Sequence, residues 1–139
     1  HLHIFQGDNR LTPFSSPERI KLCENSCNRI NLGLIPCSCG SFKTAVFLAK
    51  LPCMLHVHHN VDLSVTTSKN QPTTLPELFD ENCVLNGKQI SSNPIETTGN
   101  LIGMRLAELK NCQFKVENCV KIKSYGPQVD HMVYDITLF

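Results

Sequence analysis

Three side chains at even spacing open the question of chemistry in the stretch CMLHVHHNVDLSVT, residues 53–66: His56, His58 and Asp62. On an extended chain alternate residues share a face, which sets the two imidazoles roughly 7 Å apart, within reach of one metal ion. The plainer reading of the same residues is a solvated strand face. His59 falls on the opposite, apolar side, where a histidine is more often a hydrogen-bonded core group than a ligand. His1 adds a third imidazole beside a terminal amine if the mature chain begins there. Hydrolytic chemistry finds little support. No G-x-S-x-G, HExxH or phosphate-cradling glycine loop is present, and Asp80, Glu81, Asp130 and Asp135 have no placeable partner. No catalytic residue, no cofactor and no enzyme is therefore expected, with His1, His56 and His58 as weak metal candidates.

The cysteines are the second group with chemistry. Eight in 139 residues point to disulfides and an oxidising compartment. Cys23-x3-Cys27 and Cys37-x-Cys39 are not zinc knuckles, and Cys53, Cys83, Cys112 and Cys119 are scattered. Without a C-x-x-C pair, a structural clamp is favoured over redox work. The expectation is that all eight are oxidised, in a pairing the sequence does not choose, in a secreted protein.

The elements that must hold these groups follow from periodicity. In residues 53–66 the odd set, Leu55, Val57, His59, Val61, Leu63 and Val65, is mostly apolar, and the even set is polar. That alternation predicts a strand with its odd side chains buried. Ser16-Pro17-Glu18 is a helix start, predicting one or two turns over residues 17–24. Residues 42–51, FKTAVFLAKL, are nearly all apolar and read as a strand buried on both faces, with a short buried helix as the alternative. Strands are also predicted through residues 1–5, on both sides of Asn86-Gly87, and over 101–109, where Ile102, Met104 and Leu106 share a face. Residues 113–123 form another, with a bulge at Asn118. A turn at Tyr125-Gly126-Pro127 leads to a last strand over 129–139, with Met132, Tyr134, Ile136 and Leu138 inward. A turn is read at Thr98-Gly99-Asn100, and residues 67–76 are read as a polar loop.

Roughly seven strands, with no helical period long enough for a parallel crossover, predict an all-β fold. The expected form is an immunoglobulin-like two-sheet antiparallel sandwich, stapled by disulfides, with at most short helical turns. Residues 1–139 would be one domain, with 1–40 a cysteine-rich segment packed on it. The formal net charge of +1 supplies no bulk field for nucleic acid, and no run of about 18 apolar residues crosses a membrane. Lys110, Lys115, Lys121 and Lys123 form a mild basic stripe, read as a solvated face.

Two families carry partial resemblances. Cys39-Gly40-Ser41, Pro52-Cys53-Met54-Leu55, residues 61–66, Thr97-Thr98-Gly99-Asn100 and Cys119-Val120-Lys121-Ile122 are similar to segments of the ML lipid-recognition family. Gly33 to Cys39 resembles a Cys-x-Cys segment of its ganglioside activators. This resemblance implies a secreted sandwich whose sheets spread around an acyl chain or sterol. Cys53, Cys83, Cys112 and the strand Val133 to Leu138 resemble instead the zona-pellucida N-type module of extracellular proteins, implying protein recognition through loops or sheet edges.

The function expected first is therefore a non-enzymatic, extracellular binder holding a lipid or other hydrophobic small molecule between its sheets. The cavity would be lined by Val46, Leu48, Leu55, Val57, Leu63, Val65, Ile102, Met104, Leu106, Phe114 and Val116. An extracellular protein is the alternative partner, and no nucleic acid is expected. A third expectation comes from His1. A terminal histidine on a secreted sandwich resembles the copper brace of lytic polysaccharide monooxygenases, with His56, His58 or His131 as second ligand and Tyr134 nearby.

Overall fold

The computed structural model describes residues 8, 10–33, 39–63 and 93–139. Its centre is the strand expected from the alternation, here β2 (Ala49–Asp62). Cys53, Leu55, Val57, His59 and Val61 are buried on one face, while Met54, His56 and Asp62 are exposed on the other. β4 (Val129–Leu138) runs antiparallel to β2 from Asp62↔Val129 to Cys53↔Leu138. Met132, Tyr134, Ile136 and Leu138 point inward, as the sequence predicts. β3 (Phe114–Gly126) pairs with the far edge of β4, and its first register shift falls between Val116 and Asn118, where a bulge is expected. The helix start at Ser16 also forms. The Ser16 side chain accepts a bond from the Arg19 backbone N–H at 3.3 Å, opening α1 (Pro17–Cys23).

The sandwich does not form. β1 (Cys27–Leu32) lies parallel to β2, giving one mixed sheet in the order β1-β2-β4-β3. Parallel neighbours need a crossover, and residues 33–48 supply it with α2 (Phe42–Leu48). The strand reading of 42–51 therefore fails over 42–48: the apolar run is a buried helix turning into β2 at Ala49. Residues 101–109 are also not a strand. They belong to α3 (Pro94–Lys110), which buries Thr98, Ile102 and Leu106 at helical spacing. The Asn93 side chain accepts from the Ile95 N–H at 3.0 Å, Pro94 opens the helix, and Asn111 closes it in the left-handed conformation at φ 55°. The protein is mixed α/β, with α2 and α3 against the odd-numbered face of β2.

The disulfide framework is corrected as well. Cys23, Cys27, Cys53, Cys112 and Cys119 are free thiols. Among the described cysteines only Cys39 is disulfide-bonded. Cys37 and Cys83, the strands predicted over 1–5 and around Asn86-Gly87, and the loop at 67–76 lie outside the described residues.

One buried layer joins sheet and helices. Leu55, Val57, Ile102, Leu106, Tyr134, Ile136 and Leu138 are all fully buried in it, each aliphatic side chain contributing about 1.5–3 kcal/mol. The two helical glycines set how closely α3 approaches. A Cβ on Gly99 would come within 2.8 Å of the Tyr134 ring, and one on Gly103 would overlap the Phe114 ring. The Tyr134 hydroxyl then reaches the Ile95 carbonyl and donates to it at 2.9 Å. In a helix open to solvent, Gly→Ala gains about 1 kcal/mol. Here overpacking is the larger effect, so Gly103→Ala is expected to lower stability by about 1–3 kcal/mol. Urea unfolding at neutral pH measures it, and an unchanged or raised midpoint would mean that the Phe114 ring does not hold α3 in place.

Candidate functional site

Open α/β sheets bind ligands outside the carboxyl ends of their parallel strands. β1 ends at Leu32-Gly33, with Leu32 beside Val57, and β2 runs on in the same direction to Asp62-Leu63, where antiparallel β4 begins at Val129. The Leu63 N–H donates to the Gln128 carbonyl at 2.7 Å and ties that edge together. Among the described residues four buried side-chain atoms have no hydrogen-bond partner: Ser41 Oγ, His59 Nδ1, Asn60 Oδ1 and His131 Nδ1. Three of the four lie within the last residues of β2 and the first residues of β4. Leaving a buried polar atom unpaired costs roughly 1–3 kcal/mol. Their concentration here makes this edge the candidate place to receive polar groups.

The two faces of this edge differ in chemistry. On the helix-covered face His59 is buried with its Nδ1 unpaired, and desolvation depresses its pKa to about 4. Beside it Asp130 is held by the Lys121 ammonium at 2.8 Å and accepts from the Ser124 hydroxyl at 2.7 Å. Those two bonds hold its carboxyl below the usual range.

On the opposite face a row of rings crosses three strands. His56 Nδ1 meets Asp135 Oδ1 at 2.5 Å, and the His56 and His58 rings touch edge to face at 5.4 Å. His58 Nδ1 and His131 Nε2 share a hydrogen bond of 3.0 Å. One nitrogen must donate and the other accept, so the bond does not survive both rings being charged. Burial, then the neighbouring His131 and His56, hold the His58 pKa below its ordinary value. Tyr125 stacks on His131 at 5.9 Å and 17°, with the Lys123 ammonium 4.4 Å from the Tyr125 ring centre.

His56 and His58 do share a face, but their bonds run to Asp135 and His131. No group of three His, Cys, Asp or Glu arranged to hold a metal exists among the described residues. His1 and Val65 lie outside the described residues. Of the residues expected to line a cavity, Val46, Leu55, Val57, Ile102 and Leu106 belong to the single core, with Leu63, Phe114 and Val116 packed at its margin. Leu48 and Met104 are half-buried. They meet between a sheet and helices, not between two sheets. Sequence reasoning missed Asn60, Lys121, Ser124 and Tyr125 as site residues and left Asp130 and Asp135 without partners. The outward turn of His131 and Asp135 was available: with Met132 and Tyr134 inward, both must face the other way.

No protein-family model matches the chain. It is 31% identical over 134 residues to the tRNA wybutosine-synthesizing protein 2/3/4 of Arabidopsis thaliana, covering 96% of this chain and 10% of that protein. The chain thus spans about a tenth of the curated relatives' length. Among solved structures it superposes on P. horikoshii TYW2 in complex with MeSAdo with a TM-score of 0.57. The identity there is 23%, over 97% of this chain and 37% of that one. M. jannaschii TYW2 in complex with AdoMet matches with a TM-score of 0.52 at 17% identity, over 83% of this chain and 39% of that one. These likenesses carry the mixed α/β fold. Together they overturn the resemblances to the ML family and the zona-pellucida module. The expected non-enzymatic lipid binder without a nucleic-acid partner falls with them, as do the protein-recognition and copper-brace alternatives.

The buried His59 generates a measurable pH dependence. Its folded pKa, about 4, lies below the ordinary 6.5, so the unfolded chain binds the proton first as pH falls. Its neutral burial contributes fully above about pH 6.5 and is lost progressively down to about pH 4, a span of about 3 kcal/mol. Denaturant titrations at pH 7 and pH 5 should show about 2 kcal/mol of that loss in the wild type and a shallower one in His59→Gln. Equal slopes in the two proteins would mean that His59 is protonated in the native state.

Proposed function

We propose that this chain forms part of a tRNA-modifying transferase of the wybutosine-synthesising kind, using an AdoMet-type cofactor at the carboxyl edge of β1 and β2. The observation that carries the reading is the 31% identity along 96% of the chain to the plant tRNA wybutosine-synthesizing protein. The solved TYW2 chains that share the fold hold MeSAdo or AdoMet, each a nucleoside with a sulfur-linked chain.

The residues present are compatible with such a ligand. A nucleoside needs hydrogen-bonding groups set beside an apolar floor. This edge has unpaired His59 Nδ1, the exposed carboxylate-bearing Asp62 at the strand end, and buried Val61. Gly33 adds open backbone at the end of β1, with the nearest atom to an added Cβ 3.9 Å away. When bound, the cofactor supplies an activated carbon group on sulfur. The chain's own part is to orient it, with Asp62 accepting hydroxyl or ammonium donors and His59 kept neutral by burial.

The test uses the full-length protein with AdoMet labelled in the transferable group and unmodified total tRNA. Label should pass to tRNA, and Asp62→Asn should weaken AdoMet binding about tenfold in calorimetry, the scale of losing one hydrogen bond to a charged group. Absence of AdoMet binding by the wild type would overturn the reading. Binding unchanged in Asp62→Asn would move the cofactor away from this edge.

A further inference from the structure

Beyond Asp62 at the strand end, the sheet face opposite the helices has no role in holding a cofactor in the reading above. It nevertheless carries an arrangement that a solvated face does not need. Tyr125, at the end of β3, is half exposed, and its inner side rests flat on the buried His131 ring. Lys123 has no carboxylate partner among the described residues and lies over the Tyr125 ring, whereas Lys115 and Lys121 are paired with Glu117 and Asp130. Beneath Tyr125, His131 is only 5% exposed and its Nδ1 has no partner. Directly across the β2–β4 ladder Asn60 Oδ1 is also unpaired. A stacking ring, a cation without a carboxylate partner among the described residues and two unpaired polar atoms therefore converge on one spot. Two exposed apolar side chains of the same strand, Val120 and Ile122, flank it.

We infer that Tyr125, Lys123, His131 and Asn60 form a subsite for one unpaired nucleotide of the RNA substrate. The base stacks on the Tyr125 ring, and Lys123 swings from the ring to the phosphate. Every base has a π-face, so an aromatic platform beside a cation takes single-stranded nucleotides with little sequence preference. Small movements of the ring open the unpaired His131 and Asn60 atoms to the donors and acceptors of the base edge. This inference rests on the proposed tRNA-modifying function and names where the RNA is gripped.

Its test is tRNA binding by the full-length wild type, Tyr125→Ala, Tyr125→Phe and Lys123→Ala, with AdoMet titrated into each. A short single-stranded oligonucleotide carrying 2-aminopurine serves as a stacking probe. Tyr125→Ala should weaken tRNA binding roughly tenfold or more and abolish quenching of the probe. Tyr125→Phe should keep both, and Lys123→Ala should weaken binding and lower the salt slope by about one. AdoMet affinity should be the same in all four, which also reports that each variant is folded. Wild-type tRNA binding that survives Tyr125→Ala and Lys123→Ala undiminished overturns the subsite and leaves the proposed function standing. A wild type that binds AdoMet but no tRNA overturns the subsite and the RNA half of that function. One that binds neither overturns both.

Discussion

The outer face of the sheet is positioned by a contact on its inner face. α3 can lie against β4 and β3 only because Gly99 and Gly103 leave room for the rings of Tyr134 and Phe114. That approach lets the Tyr134 hydroxyl bond the first turn of the helix at Ile95, so a fully buried polar atom is satisfied and the helix is held in register with the sheet. Tyr134 is flanked on β4 by Val133 and Asp135, which face the other way, and His131 lies farther along the same strand. Once Tyr134 is seated, His131 and Asp135 are aimed at β2, and the two histidine contacts on that face follow.

Much of the sheet was legible in the sequence, and the reason is simple. β2 alternates cleanly, and the pattern in residues 53–62 and 129–138 placed Leu55, Val57, Val61, Met132, Tyr134, Ile136 and Leu138 on the inner face, though not Asp130. The helices were lost for opposite reasons. α2 is short and apolar on all sides, so its period does not separate it from a buried strand. α3 had its signals, with Asn93-Pro94-x-Glu96 at the start and Lys110-Asn111 at the end. Gly99 and Gly103, however, read as turn and strand irregularities, and Ile102-x-Met104-x-Leu106 fits a strand as well as a helix. A glycine needed for close approach looks, without the partner ring, like a glycine needed for a turn. Losing α3 and α2 removed the crossover, and without the crossover the cysteines and the remaining strands invited a sandwich.

The candidate site was half legible. The even-numbered face with His56 and His58 was read as a solvated polar face, with a metal pair as the weaker alternative, and neither reading supplies the partners, which come from β4. Asp135 takes His56 and His131 takes His58, and a strand pairing over 70 residues away in sequence is invisible to spacing. The unpaired atoms His59 Nδ1, Asn60 Oδ1 and His131 Nδ1 are still less accessible to sequence, since their significance lies in what does not bond to them.

Those atoms also decide between a filled interior and a working edge. A carrier that holds a lipid between sheets would gather its unusual chemistry inside, on apolar walls. In this protein the apolar side chains expected to line such a cavity, Leu55, Val57, Ile102 and Leu106 among them, are spent on packing sheet to helix. The unsatisfied groups are instead at the carboxyl end of β2, where both faces of the sheet meet. Polar atoms buried without partners lower stability in the free protein, and a binding molecule that pairs them regains what the fold gave up. The helix-covered side of that edge suits a nucleoside, and the ring-bearing side suits a base on a charged backbone. Adjacent strands thus set two groups of unsatisfied polar atoms a few residues apart, an arrangement that has no use in a lipid carrier.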